Sequence, residues 1–261
     1  MIPDWQLPPG VDRGLWDYLH AADMVATYDD QIQASPLAGA DVAYCERNFA
    51  APGRLLDLGC GTGRLCLHFA QKGFECVGVD LSEEMLARAR EKSLALASAP
   101  RQERERGSAT FVNANLVDLS ALPEGSFDFA ACLFSTLGMV RGAENRARVL
   151  ANALRLLKPG GTFVLHAHNR FFRGLGLGRA CGQFVRTLFA RPTAGDLAMP
   201  QAYGGAPLTL HHFTHREAVA ALRGAGFRPR DSLALTAAGA PAGWPRTVRA
   251  YGWLLLAERP A

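Results

Sequence analysis

A glycine-rich turn between a short apolar run and a helical pattern constrains the fold of this chain more than any other feature. The run Leu55 to Leu58 leads directly into Gly59, Gly61 and Gly63. Glycine has no Cβ atom, so the backbone can turn tightly there and lie against a ligand. The amides at the start of the following helix remain free to donate hydrogen bonds. Strand, glycine turn and helix in this order are typical of the first unit of a nucleotide-binding α/β sheet.

The spacing of the glycines narrows the class of ligand. They follow the pattern G-x-G-x-G, whereas a dinucleotide fingerprint reads G-x-G-x-x-G. Asp57 stands two residues before the first glycine, and a carboxylate beside the turn suits a cationic ligand better than a diphosphate. An NAD(P)-dependent oxidoreductase has a similar layout and stays open as an alternative.

Length and composition indicate one α/β domain with an insertion or a small cap. The chain has 261 residues, of which 49% are hydrophobic, enough for a sizeable core. Its six cysteines are scattered without a C-x-x-C pair. This pattern favours a reducing compartment and argues against a zinc site or a disulfide framework.

Nothing in the sequence predicts a membrane association. No apolar run approaches the roughly 18 residues that a spanning helix needs. The first residues also lack the basic and then apolar pattern of a signal peptide. We therefore expect a cytoplasmic protein with no membrane partner.

The stretch Leu56 to Gly63 resembles the first motif of the class I S-adenosylmethionine (SAM)-dependent methyltransferases. An amphipathic helix from Asn145 to Leu157, followed by Lys158-Pro159-Gly160-Gly161 and a strand, is similar to a later feature of that family. The resemblance covers about residues 50–165, and less closely 211–259. It implies a Rossmann-like, doubly wound sheet of seven strands, mostly parallel with one strand antiparallel, and helices on both faces.

The resemblance also implies a domain plan. Residues 1–50 are expected to form an N-terminal helical lid, and residues 51–261 the methyltransferase domain. An inserted cap at about 171–210 follows strand five and is expected to carry acceptor specificity.

The family's motifs imply a set of SAM contacts. Asp80, at the end of the second strand, is expected to accept hydrogen bonds from both ribose hydroxyls, with Leu81 and Met85 flanking the adenine. Asn115 stands where the family usually has an acid, and its side-chain oxygen can accept from the adenine amino group. The expected cofactor-binding residues are Tyr28, Asp57, Gly59, Cys60, Gly61, Gly63, Asp80, Leu81, Met85, Asn115, Leu116 and Phe134.

Two histidines at the end of the fifth strand are the candidate catalytic residues. Alternation along a strand places His166 and His168 on the same side. Histidine can act as a general base near neutral pH. Metal binding is not expected, because no third ligand is evident.

The sequence therefore predicts an enzyme that transfers a methyl group from SAM to the oxygen, nitrogen or carboxylate of a small molecule. RNA is a further candidate partner, because residues 166–230 contain nine arginines against two acids. Gly195 to Pro200 and His211 to Phe213 resemble stretches of the methyltransferases that esterify a carboxymethyl group on a tRNA wobble uridine. A SAM-binding protein without catalytic activity is the third alternative.

Overall fold

The structure is a computed structural model and describes residues 2–98, 107–172, 174, 193–202 and 207–261. Much of the predicted cap, namely residues 173, 175–192 and 203–206, lies outside the described residues. No helix in the described part of the chain combines the length and hydrophobicity that crossing a bilayer requires.

A seven-stranded mixed sheet forms the centre of the molecule, and a separate two-stranded hairpin lies apart from it. The strands in chain order are β1 (Arg54–Leu58), β2 (Glu75–Asp80), β3 (Ser108–Asn113), β4 (Phe127–Cys132), β5 (Leu157–His168), β6 (Asp196–Ala202), β7 (Pro207–His211), β8 (Arg228–Leu235) and β9 (Gly252–Glu258). The sheet order is β3-β2-β1-β4-β5-β9-β8, and β6 and β7 form the hairpin. Only β9 runs antiparallel to its neighbours in the sheet. The predicted seven-stranded fold is confirmed.

Helices cover both faces of the sheet. In chain order they are α1 (Arg13–Leu19), α2 (Ala22–Gln33), α3 (Pro36–Asn48), α4 (Arg64–Ala70), α5 (Glu83–Ser98), α6 (Thr136–Met139), α7 (Ala143–Leu156), α8 (His215–Gly224) and α9 (Arg246–Arg249). One core cluster joins the sheet to α7 and α8, through residues such as Leu150 and Leu222. The other joins it to α3, α4 and α5, through Tyr44, Phe69 and Leu86. This two-sided burial explains why β1 has buried leucines on both of its faces, Leu55, Leu56 and Leu58, rather than an alternating pattern.

Local sequence signals account for the ends of several elements. The T-x-x-E spacing of Thr214 and Glu217 predicts a capping box for α8, which the structure confirms: the Thr214 hydroxyl accepts from the Glu217 amide, and the Glu217 carboxylate accepts from the Thr214 amide. The sequence pattern also predicts the last two strands at 233–236 and 248–258, and these limits are wrong. Strand β8 begins earlier, at Arg228 on the polar edge of the sheet, and β9 begins only after α9. Edge strands and short helices lack the apolar pattern on which the prediction depended.

Candidate functional site

A cavity of about 660 Å³ lies at the carboxyl ends of the parallel strands. Ligands of open α/β sheets bind at this edge. Residues from α1 and α2 and from the β6–β7 hairpin contribute to its wall, together with the glycine turn. All of the expected SAM contacts except Gly63 line this cavity. The sequence motifs of β1, β2, β3 and β4 therefore meet at one place.

The glycine turn forms a narrow cradle that side chains would fill. Gly59 and Gly61 have φ angles of +79° and +53°, a region that L-residues rarely adopt. A Cβ atom on Gly59 would collide with the side chain of Thr136, and one on Gly61 would lie 3.1 Å from the Tyr28 hydroxyl. Tyr28, the predicted aromatic of the lid, thus packs directly over the turn.

Gly63, the remaining glycine among the expected SAM contacts, has a clear packing role in the structure. It is the N-cap of α4 and has a φ angle of +84°. A Cβ atom there would lie 2.9 Å from the ring of Phe111 and 3.1 Å from Ala89. The absence of a side chain therefore lets α4 pack against β3 and α5. Gly63 does not belong to the cavity wall that the structure describes.

Asp80 ties the glycine turn to the end of β2. Its Oδ2 accepts a hydrogen bond of 2.8 Å from the Gly61 amide, and its Oδ1 accepts one of 2.9 Å from the Ser82 amide. Burial raises the pKa of this carboxyl, and the backbone hydrogen bonds oppose the rise. Each oxygen keeps a lone pair with which to accept from a ligand hydroxyl.

Asp57 is a buried carboxylate with few neighbouring groups that stabilise its negative charge. Burial raises its pKa to about 7, and the nearby Asp80 and Asp41 carboxylates add to the rise, while Arg64 opposes it. The thiol of Cys66 lies 3.9 Å from its Oδ2. A positively charged ligand group in the cavity would favour the ionised form. A buried acid beside a glycine cradle thus fits a cationic cofactor such as SAM.

Asn115 already uses part of its hydrogen-bonding capacity within the protein. Its side-chain oxygen accepts from the Val117 amide at 3.0 Å, and its NH₂ group donates to the carbonyl of Pro9 at 2.8 Å. The sequence did not indicate this second bond, which holds the N-terminal segment to the sheet. Asn115 still lines the cavity, beside Leu116.

The turn after β4 has an unusual backbone. Phe134 and Ser135 have φ angles of +52° and +62° although neither is glycine. Such conformations are costly and cluster at functional sites. The Ser135 amide donates to the His166 carbonyl, and the Ser135 hydroxyl accepts from the His168 amide. The turn thereby fixes Phe134 in the cavity wall next to the end of β5.

The two candidate histidines have different environments. His168 lines the cavity and is 5% exposed, and neither of its ring nitrogens has a hydrogen-bond partner among the residues the structure describes. Burial, with His166 and His212 nearby, lowers its pKa well below the usual value. His166 lies outside the cavity wall, and its Nδ1 is 2.7 Å from Oδ1 of the buried Asp41. The prediction that both histidines are catalytic candidates therefore narrows to His168.

Several cavity residues were not indicated by any motif. Tyr251 precedes β9, Met199, Leu208 and Leu210 come from the hairpin, and Arg64 begins α4. The Arg64 guanidinium donates to the Ala38 carbonyl at 2.6 Å. Apart from Arg64, which follows Gly63 directly, these residues are distant in sequence from the glycine turn and share no pattern with it.

Arg141 joins the two outer walls of the cavity. Its Nε lies 3.1 Å from Oδ2 of Asp12, the N-cap of α1, and its Nη1 lies 3.2 Å from Oδ2 of Asp196 in the hairpin. Its amide also donates to the carbonyl of Gly10. One guanidinium thus holds the N-terminal segment at Asp12 and the hairpin at Asp196 to the same point.

A network of charged groups fixes the hairpin to the sheet. Nδ1 of His211 lies 2.6 Å from Asp196, and its Nε2 lies 2.8 Å from Glu217. Glu217 also pairs with Arg170 at 2.5 Å. Arg170 is only 6% exposed, so this member of the basic stretch does not present its charge to solvent. In the described part of the chain, no group of three or more His, Cys, Asp or Glu side chains is arranged to hold a metal ion.

Several of the known proteins that this chain resembles are methyltransferases. Residues 56–165 match the family described as "Methyltransferase domain". The putative methyltransferase YqeM of Bacillus subtilis is 30% identical over 128 residues, which cover 49% of this chain and 47% of YqeM. A ubiquinone biosynthesis O-methyltransferase of Xanthomonas campestris pv. campestris is 30% identical over 151 residues, 58% of each protein. The chain thus spans about half the length of the curated relatives it matches.

A solved structure extends the similarity in fold to nearly the whole chain. The 1,6-didemethyltoxoflavin-N1-methyltransferase of Burkholderia thailandensis, with 1,6-didemethyltoxoflavin and S-adenosylhomocysteine bound, superposes with a TM-score of 0.62 at 20% identity. The superposition covers 98% of this chain and 93% of that one. Residues 56–165 thus form a domain of the class I SAM-dependent methyltransferase family, which uses SAM as its cofactor, and the fold of the chain is that of a solved methyltransferase.

Proposed function

We propose that this protein is an enzyme that transfers a methyl group from SAM to a small-molecule acceptor. The observation that carries the proposal is the shared cavity. It joins the glycine turn to a mainly apolar region in which His168 has both ring nitrogens free of partners among the described residues. An enclosed apolar pocket with a few polar groups is typical of small-molecule sites.

The residues present fit SAM. Asp57 would face its positive charge, Asp80 its ribose hydroxyls, and Leu81, Met85 and Leu116 its adenine. The cradle at Gly59 and Gly61 would receive the methionine part of SAM. When bound, SAM supplies a methyl group on a positively charged sulfur, which needs no further activation.

The chain's own task is mainly to position the acceptor and exclude water. Holding two reactants in line makes the step effectively unimolecular and accounts for several kcal/mol of the barrier. Phe134 and Tyr251 would confine the acceptor beside His168. Burial keeps the pKa of His168 low, so its ring is neutral at pH 7 and has a lone pair available for an acceptor hydroxyl.

Three observations support a small molecule over RNA. The hairpin and the N-terminal helices form part of the cavity wall, Arg170 is buried in an ion pair, and Asp196 and His211 pair with each other. The stretch that resembled wobble-uridine enzymes thus holds the hairpin together. The names of two similar proteins also refer to small molecules, one to ubiquinone biosynthesis and the other to 1,6-didemethyltoxoflavin.

Methyl-labelled SAM tests the proposal. The full chain would be incubated with it and either a low-molecular-weight cell extract or bulk tRNA. We expect label in the small-molecule fraction and none above background on tRNA. Label transferred to tRNA would contradict the small-molecule proposal. Calorimetry with NADH and SAM side by side should show binding of SAM alone, and NADH binding would restore the oxidoreductase alternative.

Replacing Asp80 by Ala should weaken SAM binding by roughly 30- to 150-fold, since two charge-assisted hydrogen bonds are worth about 2–3 kcal/mol. The change should also lower the melting temperature, because the amides of Gly61 and Ser82 lose their acceptor. Asp118→Ala is the matched control. Asp118 accepts from the amide two residues on, like Asp80, but is exposed and outside the cavity wall. Calorimetry that finds equal SAM affinity in both variants would remove Asp80 from the site.

A further inference from the structure

The charged side chains of the cavity come from the elements around the glycine turn. Among the described residues that line it, only Asp57, Arg64 and Asp80 carry a formal charge, and all three belong to β1, α4 and β2. We term a second group of lining residues, none of which carries a formal charge, the acceptor chamber: Phe134, His168, Met199, Leu208, Leu210 and Tyr251.

The titratable groups of the acceptor chamber are neutral. Burial lowers the pKa of His168 and raises that of Tyr251, so neither is charged near pH 7. Burying an unpaired carboxylate, phosphate or ammonium against such a wall costs several kcal/mol. The chamber therefore disfavours charged acceptors, including the carboxymethyl group of the wobble-uridine alternative.

His168 supplies the polar contact of the chamber. Both of its ring nitrogens are buried without a partner among the residues described, a state that is unfavourable for each group. A ligand hydroxyl that donates to the ring would remove part of this cost. His212, whose ring centroid is 5.6 Å from that of His168, does not line the cavity.

Aromatic rings surround the same point. The ring of His168 lies 4.7 Å from Tyr251 and 6.5 Å from Phe134, both in edge-to-face arrangements. Such rings pack well against a flat aromatic ligand. The hairpin residues Met199, Leu208 and Leu210 add flexible and branched apolar surface to the wall of the same cavity.

From these observations we infer that the acceptor is an uncharged, flat hydroxyaromatic molecule whose hydroxyl donates a hydrogen bond to His168 and whose apolar part contacts the hairpin. The inference rests on the proposed function. In the transfer, the hydroxyl oxygen forms the new bond to the methyl carbon as the methyl–sulfur bond breaks, and that electron pair stays on sulfur. The hydroxyl proton passes to His168. The positive charge lost at sulfur is thus replaced by one on the imidazole, so the net charge of the buried site is unchanged.

The test compares two probes of matched shape, 2-naphthol and 2-naphthoic acid, by calorimetry on the full chain saturated with S-adenosylhomocysteine at pH 7.5. We expect 2-naphthol to bind at least 30-fold more tightly. With SAM present, the expected product is 2-methoxynaphthalene. Equal or tighter binding of the naphthoate, or no binding of either probe, would overturn the inference.

Two variants separate the hydrogen bond from shape. His168→Phe keeps a flat ring without an acceptor nitrogen and should weaken 2-naphthol binding about tenfold, with S-adenosylhomocysteine binding within twofold of the parent. His212→Phe makes the same change outside the cavity wall and should leave both affinities within twofold. If His168→Phe does not fold, the two-probe comparison on the parent chain still tests whether the acceptor is uncharged. If the parent chain binds S-adenosylhomocysteine but methylates a charged acceptor, this inference is contradicted and the proposed function is not. If the parent chain binds no S-adenosylhomocysteine, the proposed function is contradicted.

Discussion

Replacing Asp57 by Asn is expected to make the ligand-free protein more stable and SAM binding much weaker. The pKa of Asp57 is raised to about 7 in the folded chain, mainly by burial, against about 3.9 for an exposed aspartate. Between these values the folded state holds a proton that the unfolded state has lost, so stability falls as pH rises from about 4 to 7. Asn, which is the same size and never ionises, removes that loss.

At pH 8 we expect a gain of about 1–3 kcal/mol for Asp57→Asn, roughly 2–10 °C in melting temperature for a chain of this size. Near pH 4 the gain should vanish. SAM binding should fall about 10- to 150-fold, the range for a hydrogen bond to a charged group. Thermal melts at the two pH values and calorimetry with SAM measure both effects. A variant less stable than the parent at pH 8 would show that neighbouring groups already stabilise the Asp57 charge in the ligand-free protein.

The same carboxyl predicts a pH dependence of SAM affinity. The groups that act on it are Asp80, Asp41, Arg64 and Cys66. Because the bound cation requires the ionised form, affinity should weaken up to about tenfold for each pH unit below 7. Asp57→Asn should show a flatter profile, which corrects for titration of the ligand itself. Parallel profiles in the two proteins would mean that another group sets the dependence.

Replacing Gly61 by Val is expected to abolish measurable SAM binding. The φ angle of +53° is unfavourable for a β-branched residue, and the new Cβ atom would lie 3.1–3.4 Å from the Tyr28 ring and hydroxyl, within the cradle. A loss of more than 100-fold in affinity should appear in calorimetry.

Gly125→Val is the matched control for this change. Gly125 has a φ angle of +57° and no atom within 4 Å of its Cβ position, so it has the same backbone conformation without a neighbour to displace. It lies outside the cavity wall. We expect both variants to lose some stability and only Gly61→Val to lose SAM. Equal SAM affinity in the two variants would place the cofactor elsewhere.

The part of the site that sequence could predict is local. Asp57, Gly59 and Gly61 occur in one stretch, and Asp80 ends the next strand, so strand order alone brings them together. The seven-stranded topology was implied by the family that the same motifs resemble, and the structure has it.

The rest of the site depends on packing between distant segments. Alternation correctly places His166 and His168 on one side of β5, but only the structure shows that Asp41 of α3 lies against His166 while His168 reaches the cavity. Gly63 shares the pattern of its neighbours and still serves helix packing, because Phe111 lies against it. The positive φ of Phe134 leaves no trace in residue type, since no glycine marks that turn.

The position of Arg141 has a consequence for how such an enzyme could change its substrate. The matched domain, residues 56–165, contains most of the expected SAM contacts and Arg141 itself, whereas α1, α2 and the hairpin lie outside it. Under the proposed function, the hairpin and the N-terminal helices are thus the parts of the acceptor wall that lie outside the matched domain. A transplanted hairpin or N-terminal segment would retain its docking if it kept an acid facing Arg141, as Asp12 and Asp196 do here. Under the proposed function, evolution or an engineer could replace the hairpin while the methyl-donor site stays intact, whereas a new N-terminal segment would also have to supply an aromatic in place of Tyr28.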